Sequence, residues 1–341
     1  MKFTIAKILT LSLTLILSNQ SYADSGQVNL YSARKEALIK PLLDSFTEQS
    51  GIQVNIISGK ADALLKRIQS EGINSPADVL LTTDAGRLYR AKQAGLFSAV
   101  ESETLTQNIP AQYRDSESKI FGLSVRVRPI LITNKANAET ITSYEGLSDP
   151  AFKGQICIRS SNNIYNQSLV ASMIEASGEE QTEAWAKGFV KNFARRPQGG
   201  DRDQIRAAAV GQCSIAIANT YYLAQMLAGE SDSKDHIAAK QLTVIWPNQD
   251  SRGAHTNVSG AGVIHTGPNK ENAVKLIEFL SSDTAQAIYA NVNYEYPVKE
   301  GIEINDILSN FGTFTSDPIA LDKLGENNAA AIRLMDRAGW K

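Results

Sequence analysis

The sequence has few of the residues on which most metal and catalytic sites depend. It contains two cysteines and three histidines in 341 residues, and its histidines (His236, His255 and His265) form no HxxxH or HExxH pattern. A structural zinc site needs about four clustered ligands, which this spacing does not offer. The phosphate-binding GxxxxGK, dinucleotide-binding GxGxxG and hydrolase GxSxG motifs are absent as well. The sequence therefore contains no motif that supports catalytic activity, and we predict a protein that is not an enzyme.

The chain also lacks an excess of positive charge. It has 34 basic and 36 acidic residues, and this mildly acidic balance gives no support for binding nucleic acid or an anionic membrane surface. Beyond the first twenty residues, no stretch is long and apolar enough to span a membrane. We therefore expect no nucleic-acid partner and no membrane insertion of the mature chain.

The N-terminus has the pattern of a secretory signal peptide. Lys2 and Lys7 accompany an apolar run over residues 8–17, and Ser21-Tyr22-Ala23 places small residues where a signal peptidase cleaves. We predict a signal peptide over residues 1–23, with cleavage before Asp24. The alternative is an uncleaved anchor, although the run is shorter than the roughly 20 residues that a span needs.

The two cysteines, Cys157 and Cys213, are an even pair in a chain that is expected to be exported. Such a pair is typical of a disulfide in an oxidising compartment. Two free buried thiols are the alternative, because cysteine packs well as a small apolar residue.

Strands and helices alternate in two successive units. Predicted strands at residues 28–32, 54–58 and 77–82 are separated by helices at 35–49 and 61–71. A second unit follows with the same alternation, which indicates an α/β fold with parallel sheets. Between the units, residues 123–128 form a candidate crossover.

A mature chain of this length is too long for one comfortable core, so we predict two domains. The predicted N-terminal lobe comprises residues 24–124 and 249–299, and the C-terminal lobe comprises residues 125–248 and 300–341. The fold class is therefore a bilobed α/β protein whose two domains are joined by a hinge of crossover strands, with a cleft between them.

Three tyrosines follow predicted strands of the second unit. Tyr165 begins a helix after the strand that ends at Arg159, while Tyr221 and Tyr222 begin a helix after a strand at residues 214–218. Open α/β sheets bind ligands at the carboxyl edge of their strands, so the three phenols are candidate ligands. The alternative is that they are half-buried surface aromatics with local hydrogen bonds.

Arginines and an aspartate follow strands of the first unit or lie in the crossover. Arg34 follows the first strand, and Arg126 and Arg128 lie in the crossover; a guanidinium fork suits a bidentate anion. The alternative for at least one of them is a salt bridge at the surface. Asp84 follows a strand and is expected to cap the next helix.

Several segments resemble the periplasmic ferric-ion-binding proteins. Residues 29–97 resemble the N-terminal lobe of that family, and the resemblance extends over essentially the whole mature chain. Its most specific parts are SSNNIYNQSL and ANTYYLA, within GQICIRSSNNIYNQSLVASMI and IAIANTYYLAQML; NVSGAGVIHTGPNKENAVKLIEFL is similar too.

This resemblance implies a class II periplasmic binding protein with a transferrin-like cleft. It implies that Tyr165, Tyr221 and Tyr222 ligate Fe³⁺, and that Arg126 supports the site. It further implies delivery of the iron to an inner-membrane ABC permease with its cytoplasmic ATPase, by a monomer in the periplasm. The alternative function is binding of a small anion or a polyamine by the same fold.

The sequence departs from the family after the first strand. Many relatives carry His or His-Tyr there, whereas the segment Tyr31-Ser32-Ala33-Arg34-Lys35-Glu36 offers neither, so this chain resembles a variant that uses three tyrosines. Asp62 lies near where some relatives place a glutamate ligand. Because three phenolates leave positions open around Fe³⁺, we expect a carbonate-like anion or water to complete the coordination. Arg126 and, secondarily, Arg34 are expected to hold that anion.

Overall fold

The chain folds around two β-sheets that are built from nine strands in the part described. The computed structural model describes residues 26–341, and the predicted signal peptide lies outside them. In these residues no helix is both long and apolar enough to cross a membrane. In chain order the strands are β1 Gln27–Ser32, β2 Gln53–Ser58, β3 Val79–Thr83, β4 Phe121–Val127, β5 Ile130–Ile132, β6 Ile156–Cys157, β7 Ile215–Ile217, β8 Thr243–Ile245 and β9 Thr256–Val263.

Helices pack against both sheets. They are α1 Glu36–Ser50, α2 Ala61–Glu71, α3 Ala85–Gln93, α4 Glu103–Asn108, α5 Ile164–Ser177, α6 Glu179–Lys191, α7 Asp201–Ala209, α8 Thr220–Leu227, α9 Lys234–Ala239, α10 Lys270–Leu280, α11 Asp283–Asn291, α12 Asp306–Ser309, α13 Leu321–Glu326 and α14 Asn328–Arg337. Most of the elements predicted from the alternation of strands and helices are present, and their ends lie within two residues of the predicted limits.

The first sheet has the strand order β2-β1-β3-β9-β4. Strands β1, β2 and β3 are parallel, as predicted, but β9 is antiparallel to both β3 and β4. The expectation of a parallel sheet therefore holds for β1, β2 and β3 only, because β9 returns from the second unit in the opposite direction. At Gly260 a Cβ atom would lie 2.6 Å from the carbonyl oxygen of Phe121, which explains why glycine interrupts this strand.

The second sheet has the order β6-β7-β5-β8 and is also mixed. Strands β6 and β7 are parallel, whereas β5 is antiparallel to its two neighbours. Its core is separate from the cores beside the first sheet: Trp185, Phe189 and Trp340 pack together with the strand residues Ile215 and Ile217. Two sheets, each packed against its own apolar clusters, confirm the predicted pair of α/β units.

Two antiparallel strands connect the units. Strand β4 pairs with β9 up to Val127 opposite Thr256, and the chain then passes into β5 of the second sheet at Ile130. Tyr144 ties the two crossing segments together, since its hydroxyl donates to the carbonyl of Arg128 and accepts from the amide of His255. The predicted crossover is therefore confirmed.

The C-terminal segment contacts both units. Helix α14 packs on α5 and α6 of the second unit. Helix α13, which the predicted limits assign to the C-terminal lobe, packs Leu321 and Leu324 into the same apolar cluster as Leu88 of the first unit. The domain limits themselves stay a prediction.

Cys157 and Cys213 form a disulfide, with their Cα atoms 5.9 Å apart. Cys157 lies in β6, and Cys213 lies just before β7, which runs parallel to it. The predicted bridge is therefore confirmed, and the alternative of two free thiols is wrong.

Candidate metal centre

Two strand-to-helix turns place the three tyrosines at one edge of the second sheet. Strand β6 leads into α5, which carries Tyr165 in its first turn, and β7 leads into α8, which carries Tyr221 and Tyr222. Because β6 and β7 are parallel neighbours, their carboxyl ends meet at the same edge. Asn163 fixes the start of α5 by accepting a hydrogen bond from the amide of Tyr165 at 3.2 Å.

The phenol groups converge. The hydroxyl oxygens of Tyr165 and Tyr221 are 3.3 Å apart. The rings of Tyr221 and Tyr222 are 4.2 Å apart between centroids and are tilted by 33°. Tyr221 is buried, while Tyr165 and Tyr222 are half-buried. The three side chains therefore form one cluster that remains partly open to solvent.

In the absence of metal, two of these phenols resist ionisation. Burial raises the pKa of Tyr221 well above its ordinary value, and the neighbouring Tyr165 and Tyr222 add to that rise. Burial, with contributions from Tyr165 and Asp201, raises the pKa of Tyr222 to about 12. Both groups are therefore neutral at physiological pH, and a cation that uses them must displace their protons.

Arg126 faces this cluster from the first sheet. It lies on β4, and its guanidinium carbon is 5.2 Å from the centroid of the Tyr165 ring. One terminal nitrogen, Nη2, donates to the carbonyl of Val258 at 2.6 Å, but Nε and Nη1 are buried without a partner. Buried N–H groups are nearly always hydrogen-bonded, so these two nitrogens remain available to an acceptor outside the protein.

The charge of Arg126 is secured by its surroundings. Burial acts to lower its pKa, but the phenols of Tyr165 and Tyr221, together with nearby carboxylates, hold the pKa above its usual value. A fixed cation thus lies against the tyrosine cluster, where it can offset the charge of a bound anion.

Arg34 is placed differently from its predicted role. Its two terminal nitrogens form a bidentate ion pair with Glu295, both distances being 3.0 Å, and Nη1 also donates to Ser259 at 2.8 Å. The pair is almost completely buried, and Ser124 donates a further hydrogen bond to Glu295. An internal carboxylate therefore already occupies the fork that the sequence suggested for an exogenous anion.

The alternative of a salt bridge at the protein surface is wrong for all three predicted arginines. Arg34, Arg126 and Arg128 are each no more than 4% exposed. Arg34 and Arg128 do form ion pairs, but in the interior, with Glu295 and Asp201.

Two further arginines beside the tyrosines were not predicted. The guanidinium carbon of Arg159 lies 5.6 Å from the centroid of the Tyr165 ring, and that of Arg202 lies 6.0 Å from the centroid of the Tyr222 ring. Arg159 also pairs with the buried carboxylate of Asp201 at 3.4 Å. The position of Arg159 at the end of a predicted strand could have indicated that it lies near the tyrosines. Arg202, on α7, has no such feature in the sequence.

The remaining sequence candidates lie in other settings. Asp84 caps α3 as predicted, by accepting from the amide of Gly86, and it also accepts from the hydroxyl of Ser168 on α5. Asp62 forms an exposed pair with Arg90 at 2.6 Å. Lys35 and Glu36, at the start of α1, are exposed. Within residues 26–341, no group of three or more His, Cys, Asp and Glu side chains is arranged to hold a metal.

A cavity of about 840 Å³ lies elsewhere, lined in part by Ser172, Arg252 and Asp317. Its arginine is already engaged, at 2.5 Å by Asp317 and at 3.2 Å by Glu145. None of the three tyrosines lines this cavity. Size alone therefore does not identify a ligand site, and the three phenols instead converge beside two unpartnered guanidinium nitrogens of Arg126.

Comparison with known proteins places this arrangement in context. The model of the bacterial extracellular solute-binding protein family matches residues 74–311. Iron uptake protein A1 of Synechocystis is 51% identical over 93% of this chain and 88% of its own length.

Two solved structures are similar over nearly the whole chain. The Trichodesmium IdiA (FutA) protein in complex with iron and citrate ligands is 48% identical, with a TM-score of 0.89 over 93% of this chain and all of its own. The apo ferric ion-binding protein A of Pasteurella haemolytica is 44% identical, with a TM-score of 0.85 over 92% of this chain and 98% of its own. This likeness confirms the predicted bilobed fold class.

Proposed function

The chain belongs to the family of bacterial extracellular solute-binding proteins, and we propose that it captures ferric iron in the periplasm for uptake. It is a binding protein and not an enzyme. The convergence of Tyr165, Tyr221 and Tyr222 at one sheet edge carries this proposal. Support also comes from the names of similar proteins, which describe iron uptake and ferric-ion binding.

The donor set suits Fe³⁺. Hard cations prefer oxygen donors, and a phenolate is an anionic oxygen. A bound trivalent ion lowers the proton affinity of its ligands, as metals do for coordinating thiols and water. The raised pKa values of Tyr221 and Tyr222 therefore describe the metal-free protein only. With three phenols ionised, their charge matches that of the ion, and reduction to Fe²⁺ would weaken the match and favour release.

Arg126 supplies the place for an additional anion. Its Nε and Nη1 have no partner within the protein, and a planar guanidinium matches a planar oxyanion such as carbonate. Such an anion would fill coordination positions that the tyrosines leave open, since the segment after the first strand, which ends at Arg34-Lys35-Glu36, offers neither a His nor a His-Tyr pair. Arg34 contributes less directly, because Glu295 already occupies its fork.

Delivery and location complete the proposal. The mature chain begins at Asp24, acts as a monomer, and passes its iron to an inner-membrane permease that is driven by a cytoplasmic ATPase. N-terminal sequencing of the exported protein tests the cleavage site: an N-terminus at Met1 would contradict it. Sedimentation of the exported protein tests the oligomeric state, for which a single monomeric species is expected.

The decisive experiment is a titration of the metal-free protein with ferric citrate. Phenolate coordination to Fe³⁺ gives a visible charge-transfer band, which we expect to saturate at one iron per chain. The alternative cargo, a small anion or a polyamine, predicts tight binding of phosphate or spermidine and no visible band. Absence of the band at saturating iron would overturn the proposed function.

A further inference from the structure

Arg128 lies where the chain leaves the first sheet for the second, and its backbone is held by both crossing segments. Its amide donates to the carbonyl of His255 at 3.1 Å, and its carbonyl accepts from the hydroxyl of Tyr144 at 2.6 Å. The residue is 1% exposed. Its backbone is therefore part of the crossover, and a rotation of one lobe against the other would act on it directly.

The side chain of Arg128 reaches both turns that carry the tyrosines. Nη2 donates to the amide oxygen of Asn166 at 2.7 Å, and Nη1 donates to that of Asn219 at 2.8 Å. Asn166 is the residue after Tyr165, and Asn219 lies two residues before Tyr221. One guanidinium thus connects two chain segments that are distant in sequence and that carry the candidate ligands.

The side-chain oxygens of both asparagines are bonded to Arg128 and not to a nearby backbone amide. Asn219 stands at the N-cap of α8, but its side chain makes no capping bond; its oxygen is bonded to Arg128 instead. The amide nitrogen of Asn166 donates to the carbonyls of Arg159 and Ser160, in the turn that precedes α5. Asn166 therefore links Arg128 to this turn.

A buried carboxylate fixes the arginine in turn. Asp201 is fully buried and lies 3.1 Å from Nη1 of Arg128. The same carboxylate accepts a hydrogen bond from the backbone amide of Asn219 at 2.9 Å and forms an ion pair with Arg159 at 3.4 Å. The guanidinium of Arg128 is thereby held in place by a counter-ion that also bonds the backbone of the turn between β7 and α8.

We propose that Arg128 is a positioning residue that sets the spacing between Tyr165 and Tyr221 and links it to the crossover. The proposal rests on the proposed function, because it concerns the same tyrosines. A rigid planar fork directs donors from two separate nitrogens to two amides in a fixed geometry, whereas the donors of lysine all lie on one freely rotating nitrogen. If lobe closure and iron binding are coupled through this residue, each must favour the other by the same factor.

The test compares Arg128→Lys with Arg252→Lys in the full mature protein. Arg252 serves as the control, since it is an ion-paired arginine beside Tyr144 of the crossover, with Glu145 and Asp317 as partners, but contacts neither tyrosine turn. We expect Arg128→Lys to weaken iron binding by about 10–100-fold, the usual effect of losing an outer-shell partner. We also expect a shift of its visible band, with the response to carbonate retained. The control should keep the band of the parent.

Asn219→Ala provides a second measurement that does not disturb the buried charge pair. It removes one arm of the connection and should also shift the band, even if Arg128→Lys does not fold. A folded Arg128→Lys protein with the parent's band and affinity would overturn the proposal, as would an Asn219→Ala protein with an unchanged band. A parent protein without any iron band would instead refute the proposed function, so the two failures are distinguishable.

Discussion

The hydroxyl oxygens of Tyr165 and Tyr221 lie 3.3 Å apart, although 56 residues separate the two tyrosines in the chain. As neutral phenols they can share a hydrogen bond. As phenolates at this distance they would repel each other strongly in a partly buried site, unless a cation lay between them. A cation bound between the two oxygens would therefore remove the repulsion that opposes ionisation of both phenols.

Replacing any one of the three tyrosines by phenylalanine should remove an anionic donor while the ring volume is kept. For Tyr165→Phe, Tyr221→Phe and Tyr222→Phe we expect the visible band to fade or shift. Affinity should fall by orders of magnitude, beyond the roughly 10–100-fold effect of outer-shell changes. Spectrophotometric titration against a competing chelator measures both quantities.

Tyr113→Phe is the control for this series, because Tyr113 is a half-buried tyrosine that packs on the core of the first unit. It should bind iron like the parent. If all three site variants also bind like the parent, the assignment of the ligands is wrong, whatever the fold.

The metal-free protein should lose stability in alkali because of its buried phenols. The pKa of Tyr222 is raised from near 10 in the unfolded chain to about 12 in the folded protein. This difference in pKa contributes to the free energy of unfolding. The contribution is complete below pH 10 and is lost as the pH rises toward 12, because in that range the unfolded chain releases the proton and the folded protein retains it. We expect the melting temperature to fall less steeply with pH in Tyr222→Phe than in the parent. Parallel curves for the two proteins would contradict the shift.

The order of strands and helices could be predicted from the sequence because each element carries its own local signal. Alternation, a helix-stopping Gly51 or Gly72 and the apolar run before Arg126 are all visible in a single chain. The direction of β9 was not predictable in this way. Its antiparallel pairing with β3 and β4 depends on the path of the chain through the second unit, which no local pattern records.

The same distinction applies to the site. Tyrosines placed just after predicted strands could be assigned to one sheet edge from their positions. The engagement of Arg34 by Glu295 could not be predicted, since the partner lies 261 residues away and follows no pattern. The role of Asn166 and Asn219 as acceptors for Arg128 is hidden for the same reason, because asparagine at a turn is ordinarily explained by local capping.

The disulfide should stabilise the lobe that carries the tyrosines. Its cysteines are 56 residues apart, and closing a loop of that length is expected to contribute about 4 kcal/mol by restricting the unfolded chain. The double variant Cys157→Ser/Cys213→Ser should therefore unfold at lower denaturant concentration, with its free energy of unfolding reduced by a similar amount. A change below about 1 kcal/mol would contradict the chain-entropy estimate.

Arg126 raises the question of what closes the two lobes on the ion. All three candidate ligands belong to the second unit, whereas Arg126 lies on β4 of the first sheet. A ligand shifts a conformational equilibrium only by the difference in its affinity for the two states. Iron held by the tyrosines alone contacts one unit, so its affinity for the open and the closed states would be nearly equal. An anion bound to both the iron and Arg126 would connect the units and favour closure.

We therefore expect iron to bind more weakly in carbonate-free buffer and to leave the radius of gyration near its metal-free value. Adding bicarbonate should then strengthen binding and compact the protein, as measured by small-angle X-ray scattering. In Arg126→Ala both responses should disappear, while Arg126→Lys, which keeps the charge but not the planar fork, should retain part of them. The competing interpretation is that Arg126 only braces the crossover. It predicts equal iron affinity with and without oxyanions in the parent and in both variants, and that result would exclude the anion's role.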